Sequence, residues 1–242
     1  MLEAGLWGFV GGAALLLGAG AGVYLHFTTR AIALIMAFGA GVLISALAFE
    51  LSQEAFDNGG GDAFAVGLAA GALTFYLANR ALDPRGGRDR KRSGGQQKGN
   101  SATGLILGAL LDGIPESLAI GLTLLEGSGV GLAVVAAVFL SNVPESLSAA
   151  TGMQKAGHSR AYIFGLWLAV ALVSALAAAV GYATLDGASP NLVGFIQAFA
   201  AGAVLTMLAD TMMPEAFEGG GRVVGLMTSL GFALAFLIST VE

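Results

Sequence analysis

Leu111-Asp112-Gly113-Ile114-Pro115-Glu116-Ser117-Leu118 is answered further along the chain by Leu140-Ser141-Asn142-Val143-Pro144-Glu145-Ser146-Leu147. Both blocks sit inside long apolar runs, and each places a polar residue one helical turn before its glutamate. A carboxylate buried in lipid is costly unless it is paired, and a proline inside a helix removes a backbone hydrogen bond. The repeated Pro-Glu therefore asks for a partner that repays both costs. The reading that accounts for both blocks is that they face each other and hold a divalent cation.

The surrounding composition sets the environment. The chain has 242 residues, of which 56% are hydrophobic and only 11% charged, against about 25% charged in soluble domains. A bilayer core about 30 Å thick takes roughly 20 apolar residues per helix. Eight stretches meet that length: 5–26, 31–53, 63–82, 102–125, 129–153, 160–184, 192–216 and 222–240. Short breaker-rich turns separate them: Thr28-Thr29-Arg30, Asn58-Gly59-Gly60-Gly61, Gly127-Ser128-Gly129, Asp186-Gly187 with Pro190, and Gly219-Gly220-Gly221. The predicted fold is a single all-α polytopic membrane domain of eight transmembrane helices. Residues 5–26 read as the first span, with no basic region before them as a leader would have. The long segment 83–101 is polar and rich in Gly, Arg and Lys, and reads as a flexible basic loop.

Charge fixes a direction. With loop 83–101 taken as cytoplasmic, Arg30, the basic residues from Arg80 to Lys98, Lys155, Arg160 and Arg222 all fall on that side. Glu3, Asp57, Asp62, Glu126, Asp186 and Glu242 fall on the other, so both termini are expected outside a cell membrane, plasma or inner. The net charge of −5 and the absence of a basic groove exclude nucleic acid as a partner. With no cysteine there is neither a disulfide framework nor a thiolate metal site.

An internal repeat adds a plan. Ala37-Phe38-Gly39-Ala40-Gly41 through Glu54-Ala55-Phe56 matches Ala198-Phe199-Ala200-Ala201-Gly202 through Glu215-Ala216-Phe217 without a gap. The copies fall in spans two and seven, which run in opposite directions, as in inverted-topology transporters. Three helices, a central pair, and three helices again is the expected 3+2+3 arrangement. Gly18 with Gly22, and Gly67 with Gly71, have the four-residue spacing that lets helix backbones approach in lipid.

Asp112 and Glu116 share a helix face, and Ser141 and Glu145 repeat the arrangement with Asn142 alongside. Carboxylates gathered there repel one another unless a cation joins them. Pro115, Pro144 and Pro214 each precede a glutamate and free the carbonyls of Leu111, Leu140 and Asp210, adding oxygen acceptors. Glu50, Glu54, Asp210 and Glu215 in the repeated spans are candidate pathway residues, set against simple interfacial solvation. His26 and His158 are candidates at the cytoplasmic boundary, against a reading as ordinary loop histidines. Met207, Met212 and Met213 read as packing rather than as soft ligands.

These residues resemble the ZIP family of divalent metal transporters, whose signature is a His-Asn-x-Pro-Glu-Gly type motif in span four and a related motif in span five. The resemblance extends over eight spans, outside termini, a long cytoplasmic loop after span three, and repeated second and seventh spans. It implies import of zinc, iron or manganese toward the cytoplasm, a metal site between spans four and five, alternation by an elevator-like or rocking movement, and homodimers. Glu116 and Glu145 match the family's two glutamates, and Asn142 its Asn or Asp. Asp112 stands where histidine is usual, and Ser141 where His or Gln is. Gly113 replaces an Asn ligand, and Ser117 and Ser146 replace glycines. Ser174 stands at the span-six glutamate of the binuclear members, which argues for one metal ion.

An all-oxygen shell leans toward Mn²⁺, Fe²⁺ or another hard ion, whereas the resemblance puts Zn²⁺ first and leaves Cd²⁺ in play. The transported metal is substrate, and no tightly bound cofactor is expected. The competing readings are a proton- or other cation-coupled carrier using the same carboxylates, an intramembrane hydrolase, and a structural membrane subunit. A hydrolase would lack any Ser-His or Cys-His pair deep in a span.

Overall fold

The computed structural model describes residues 1–98, 102–126 and 129–240. The Gly127-Ser128 part of the fourth turn, residues 99–101 of the loop, Glu242, and the side chain of Glu126 lie outside the described residues. Within them the chain is helical throughout: α1 (Leu2–Tyr24), α2 (Thr29–Ala46), α3 (Ser52–Leu82), α4 (Ala102–Thr123), α5 (Leu132–Lys155), α6 (Arg160–Leu185), α7 (Pro190–Met207), α8 (Met213–Gly220) and α9 (Val224–Ser239). Polar residues in the turns start several of these. Thr28 Oγ1 accepts from the Ala31 amide at 3.2 Å, Ser159 Oγ from Tyr162, and Ser189 Oγ from Leu192, with Pro190 at the first position of α7.

Among the described residues, six helical stretches are long and apolar enough to cross a bilayer. Two of them, Thr29–Arg85 and Pro190–Ser239, are 57 and 50 residues long and contain internal breaks. Each break has the same anatomy at matching positions of the repeat. α2 passes through a π-helical turn at Leu47–Leu51, and α7 through one at Leu208–Met212. The chain then bends at Gly60 (φ 71) and at Gly221 (φ 63). Left-handed backbone of this kind is open to glycine and strained for other residues, which is why the triple glycines stand there.

Glycine also sets how closely the helices pack. A Cβ on Gly67 or Gly71 of α3 would run into the Phe195 and Phe199 carbonyls of α7, and one on Gly202 of α7 into the Leu68 carbonyl of α3. The same contact recurs between α2 and α9, where Gly41 faces the Thr228 carbonyl and Gly231 the Phe38 carbonyl. Gly18 and Gly22 of α1 lie against the Val143 and Leu147 carbonyls of α5. Both glycine pairs expected to carry close approaches therefore do so, with carbonyls as their partners. One apolar core gathers Met36, Leu43, Ile120, Val138, Val204 and Met207, and a second gathers Leu15, Leu105, Met153, Ile163 and Trp167.

The two ends of the bundle differ. At one end Arg160 stacks on the Tyr24 ring at 5.1 Å, Gly219 meets Thr29, and the 83–98 segment reaches Lys155, Glu215 and Glu218. At the other, Asn58, Leu125, Leu185, Asp186 and Pro190 line one cavity of about 280 Å³.

Two glycines make the packing testable. Gly71→Ala forces a methyl into the Phe199 backbone, whereas Gly20→Ala meets open space, with nothing within 4 Å. Overpacking of this kind costs about 1–3 kcal/mol. Gly71→Ala is expected to lower the melting temperature in detergent by several degrees, and Gly20→Ala to leave it unchanged. Equal effects would contradict the packing.

Candidate functional site

Both Pro-Glu-Ser blocks lie within unbroken helices, α4 through Pro115 and α5 through Pro144. The serine after each glutamate bonds back into its own helix. Ser117 Oγ donates to the Gly113 carbonyl at 2.7 Å, and Ser146 Oγ to the Asn142 carbonyl at 2.8 Å. Both hydroxyls thus turn back onto the backbone of their own helix. α2 seats directly on the second block, since a Cβ on Gly39 would come within 2.6 Å of Pro144 Cγ.

Asp112, Glu116 and Glu145 are 1%, 2% and 3% exposed. No basic residue on α4 or α5 lies within reach to compensate them, and the compensation comes from the 83–98 segment. Over these residues the basic loop is laid into the bundle: turns at Asp83–Arg85 and Gly87–Asp89 lead Arg90 and Lys91 to burial as deep as that of the carboxylates. Arg90 grips Asp112 with both arms of its fork, Nε to Oδ2 at 2.6 Å and Nη2 to Oδ1 at 2.7 Å. Its remaining arm donates to Asn79 Oδ1 and to the Gly87 carbonyl, each at 2.8 Å. Burial works against the guanidinium charge, but Asp112 beside it, together with Glu145 and Asp83, outweighs burial and holds Arg90 above its ordinary pKa.

Lys91 Nζ stands 2.9 Å from Glu145 Oε2 and 3.3 Å from Asp112 Oδ2, so one ammonium bridges α4 and α5. This ammonium is shared between two helices, unlike the fork of Arg90, which closes on one carboxylate. Two cations then face three carboxylates, and Glu116 is the one without a cation of its own. Glu116 has a buried Oε1 without a hydrogen-bond partner. It lines a small apolar cavity of about 20 Å³ with Leu43, Leu47, Leu51, Val134, Val138 and Val204.

The other candidates fall in separate places. Ser141 Oγ donates to the Val138 carbonyl at 2.9 Å, and Asn142 Nδ2 donates across to the Gly11 carbonyl of α1 at 3.0 Å. Gly113 and Ser174 are neighbours, a Cβ on the glycine falling 3.4 Å from the serine Oγ. Glu54 Oε2 accepts from Gln197 Nε2 at 3.1 Å, and Gln197 Oε1 from Asn58 Nδ2 at 3.0 Å. Glu50 is half-buried in the first π turn. Glu215, in contrast, is at the loop, accepting from both the amide and hydroxyl of Ser93 at 2.9 Å. Asp210 is exposed and borders a cavity of about 350 Å³ with Tyr76, Asn79, Arg80, Asp83 and Arg88. His26 is exposed at the end of α1, and His158 stacks on Tyr162 at 5.0 Å. Met207 and Met212 are fully buried in the apolar core.

Among the described residues, no three His, Asp or Glu side chains are gathered closely enough to hold a metal ion. The loop cations occupy the space between Asp112 and Glu145 instead. Arg90, Lys91 and Ser93 were the residues that a reading of the spans alone passes over. Their signal was present in charge balance: the densest basic run of the chain, Arg88 to Arg92, lies outside the spans that hold its uncompensated carboxylates.

Apolar helices of spanning length with ionisable side chains gathered in their interior define an integral membrane protein. The chain belongs to the ZIP zinc transporter family, whose sequence model matches residues 83–240. Members of that family are transporters of divalent metals and not enzymes, which removes the intramembrane hydrolase. No curated protein matches the chain.

The ion cluster gives a stability prediction. Breaking a buried pair by removing one partner costs about 3–5 kcal/mol, because the other charge is left behind. Arg90→Met is expected to lower the melting temperature strongly, and Arg90→Met with Asp112→Leu to recover much of the loss. Additive losses in that double-mutant cycle would show that the two side chains are not paired.

Proposed function

We propose that this chain carries a divalent metal ion across the membrane toward the cytoplasm, by way of a carboxylate site between α4 and α5. Zn²⁺ is the first candidate, with Fe²⁺, Mn²⁺ and Cd²⁺ as alternatives. The observation that carries the proposal is the bridging position of Lys91 Nζ. Carboxylates from two helices converge there on a single positive charge at 2.9 and 3.3 Å, a place where a cation is already stabilised. Asp112, Glu116 and Glu145 are the ligands proposed for the metal, with Ser141 and Asn142 completing an oxygen shell after they leave their present partners. Carboxylate oxygens serve zinc as well as harder ions.

The frame proposed around this site is eight crossings in a 3+2+3 inverted repeat, both termini outside and the 83–101 loop cytoplasmic. Several features support it. The π turns and the positive-φ glycines occupy matching positions of the two copies. The copies also exchange partners, α2 packing on α9 as α7 packs on α3. Splitting the two long stretches at Gly60 and Gly221 turns six helical stretches into eight crossings. The segregation of Tyr24, Lys155, Arg160 and the loop from Asn58, Leu125 and Asp186 supports opposite membrane faces. On this plan Glu54 with Gln197 and Asn58 lies toward the outer entrance, Glu50 deeper, and Asp210 and Glu215 toward the cytoplasmic exit. His26 and His158 are at that inner boundary. A homodimer is the proposed assembly, in a plasma or inner membrane.

A second reading, in which the same carboxylates couple transport to protons or another cation, is favoured by the unpartnered buried oxygen of Glu116. Uptake into proteoliposomes across Zn²⁺, Fe²⁺, Mn²⁺ and Cd²⁺, with pH set separately on each side, distinguishes the two. Outer-shell changes alone cost metal sites about 10–100-fold in affinity or activity. Glu116→Ala and Glu145→Ala are therefore each expected to reduce uptake at least about tenfold while the protein still inserts. Normal uptake by both variants would overturn the site. With Ser174 in place of an acidic ligand, equilibrium binding is expected to saturate near one tightly held metal per chain.

A further inference from the structure

The 83–98 segment is built into the bundle rather than resting on it. Glycines on both site-bearing helices clear its bed. A Cβ on Gly104 of α4 would strike the Arg85 carbonyl, one on Gly108 would come within 2.5 Å of Arg90 Cδ, and one on Gly152 of α5 would strike the Arg92 carbonyl. Polar side chains then fasten the backbone that crosses this bed. Ser148 Oγ donates to the Lys91 carbonyl at 2.7 Å, Lys155 Nζ to the Ser93 carbonyl at 2.9 Å, and the wholly buried Gln97 amide to the Asp89 and Arg92 carbonyls. A strap joins the segment to α8, through Ser93 with Glu215 and Arg92 with Glu215 and Glu218.

Taken together, a segment fastened at both helices delivers one ammonium to the two carboxylates at the centre of the proposed site. We propose that residues 90–93 form an internal plug in which Lys91 is a tethered competitor of the transported metal: a metal ion is held by Asp112 and Glu145 together only after Lys91 has left them. This rests on the carboxylate site proposed above. The chemistry favours Lys91, not Arg90, as the exchangeable cation. Arg90 is held by four directed hydrogen bonds, whereas the Lys91 ammonium is divided between two carboxylates at 2.9 and 3.3 Å. A divalent ion brings one more positive charge than the ammonium and can also engage Glu116, whose buried Oε1 has no partner at rest, so exchange is driven by charge and by added ligands. The plug also closes the loop-side mouth of the α4–α5 groove, so the competitor and the gate are one segment. The apparent affinity for metal is then the intrinsic affinity multiplied by the fraction of molecules in which the plug is unseated.

Two measurements on the full chain test this, both with Zn²⁺ and Mn²⁺ in proteoliposomes. Lys91→Gln removes the competing charge while keeping a polar side chain. It is expected to lower the metal concentration for half-maximal uptake by about fivefold or more, the lower end of typical coupling between sites, while Lys91→Arg stays near the parent. The chain has no cysteine, so Ser93→Cys with Glu215→Cys gives a single engineered pair across the strap. Oxidation of that pair is expected to arrest uptake, and reductant to restore it. An unchanged or raised half-maximal concentration in Lys91→Gln overturns the competitor, and equal uptake by the oxidised and reduced pair overturns the plug. If those results come with uptake that Glu145→Ala abolishes, this inference fails and the metal site stands. Absence of metal uptake by the parent and by Lys91→Gln alike overturns both.

Discussion

Three carboxylates buried among apolar helices are the constraint to which the rest of this structure answers. Ionised carboxylates are costly unpaired in such surroundings, and the helices that carry these three offer no cation at that depth, Lys155 at the end of α5 donating to the Ser93 carbonyl instead. Arg90 and Lys91 supply it from outside. Their arrival draws the polar segment into a groove between α4 and α5, and that groove exists because Gly104, Gly108 and Gly152 leave it open. The same constraint accounts for the strap at Ser93 and Arg92, without which a highly charged chain would have little reason to stay between helices. On the proposal made here, the metal ion is the stronger cation that replaces the Lys91 ammonium in this pairing.

Around this centre the bundle is made rigid by backbone contact and adjustable by broken helices. Glycine against carbonyl recurs at α1 with α5, α2 with α9 and α3 with α7, where close approach lets dispersion act over long stretches without large side chains. The π turns at Leu47–Leu51 and Leu208–Met212 interrupt the repeated helices in equivalent places, and Gly60 and Gly221 bend them. Such turns release backbone carbonyls from the α-helical ladder. In the repeat they stand next to Glu50 and Asp210, so acidic side chains and loosened backbone coincide on both sides of the centre.

Much of this was legible in the sequence, for physical reasons that differ between elements. The apolar runs and the gapless repeat disclosed helices and their recurrence, because lipid leaves few alternatives. The Pro-Glu-Ser blocks disclosed buried carboxylates, because nothing else in the composition could excuse their charge. The glycine spacings at 18 and 22, and at 67 and 71, disclosed close packing. Loop 83–101 was harder. Its polarity resembles that of an unfolded linker, and propensity says nothing of long-range ion pairing, so the burial of Arg90 and Lys91 could be inferred only by asking where the missing counter-charge was. The hydroxyls of Ser117 and Ser146 and the amide of Asn142 were likewise ambiguous, since the same groups serve as ligands or as helix and interhelix bonds. Their partners here, Gly113, Asn142 and Gly11, are backbone carbonyls.

The central claim is that these carboxylates are a cation site of oxygen ligands, filled by loop side chains at rest and by a metal ion in use. X-ray absorption at the zinc edge of the zinc-loaded protein tests it most directly. The claim predicts a shell of oxygen neighbours at about 2.0–2.2 Å, abolished by Glu116→Ala with Glu145→Ala. Imidazole scattering from His26 or His158, or a sulfur neighbour from a methionine, would place the bound ion elsewhere and contradict it.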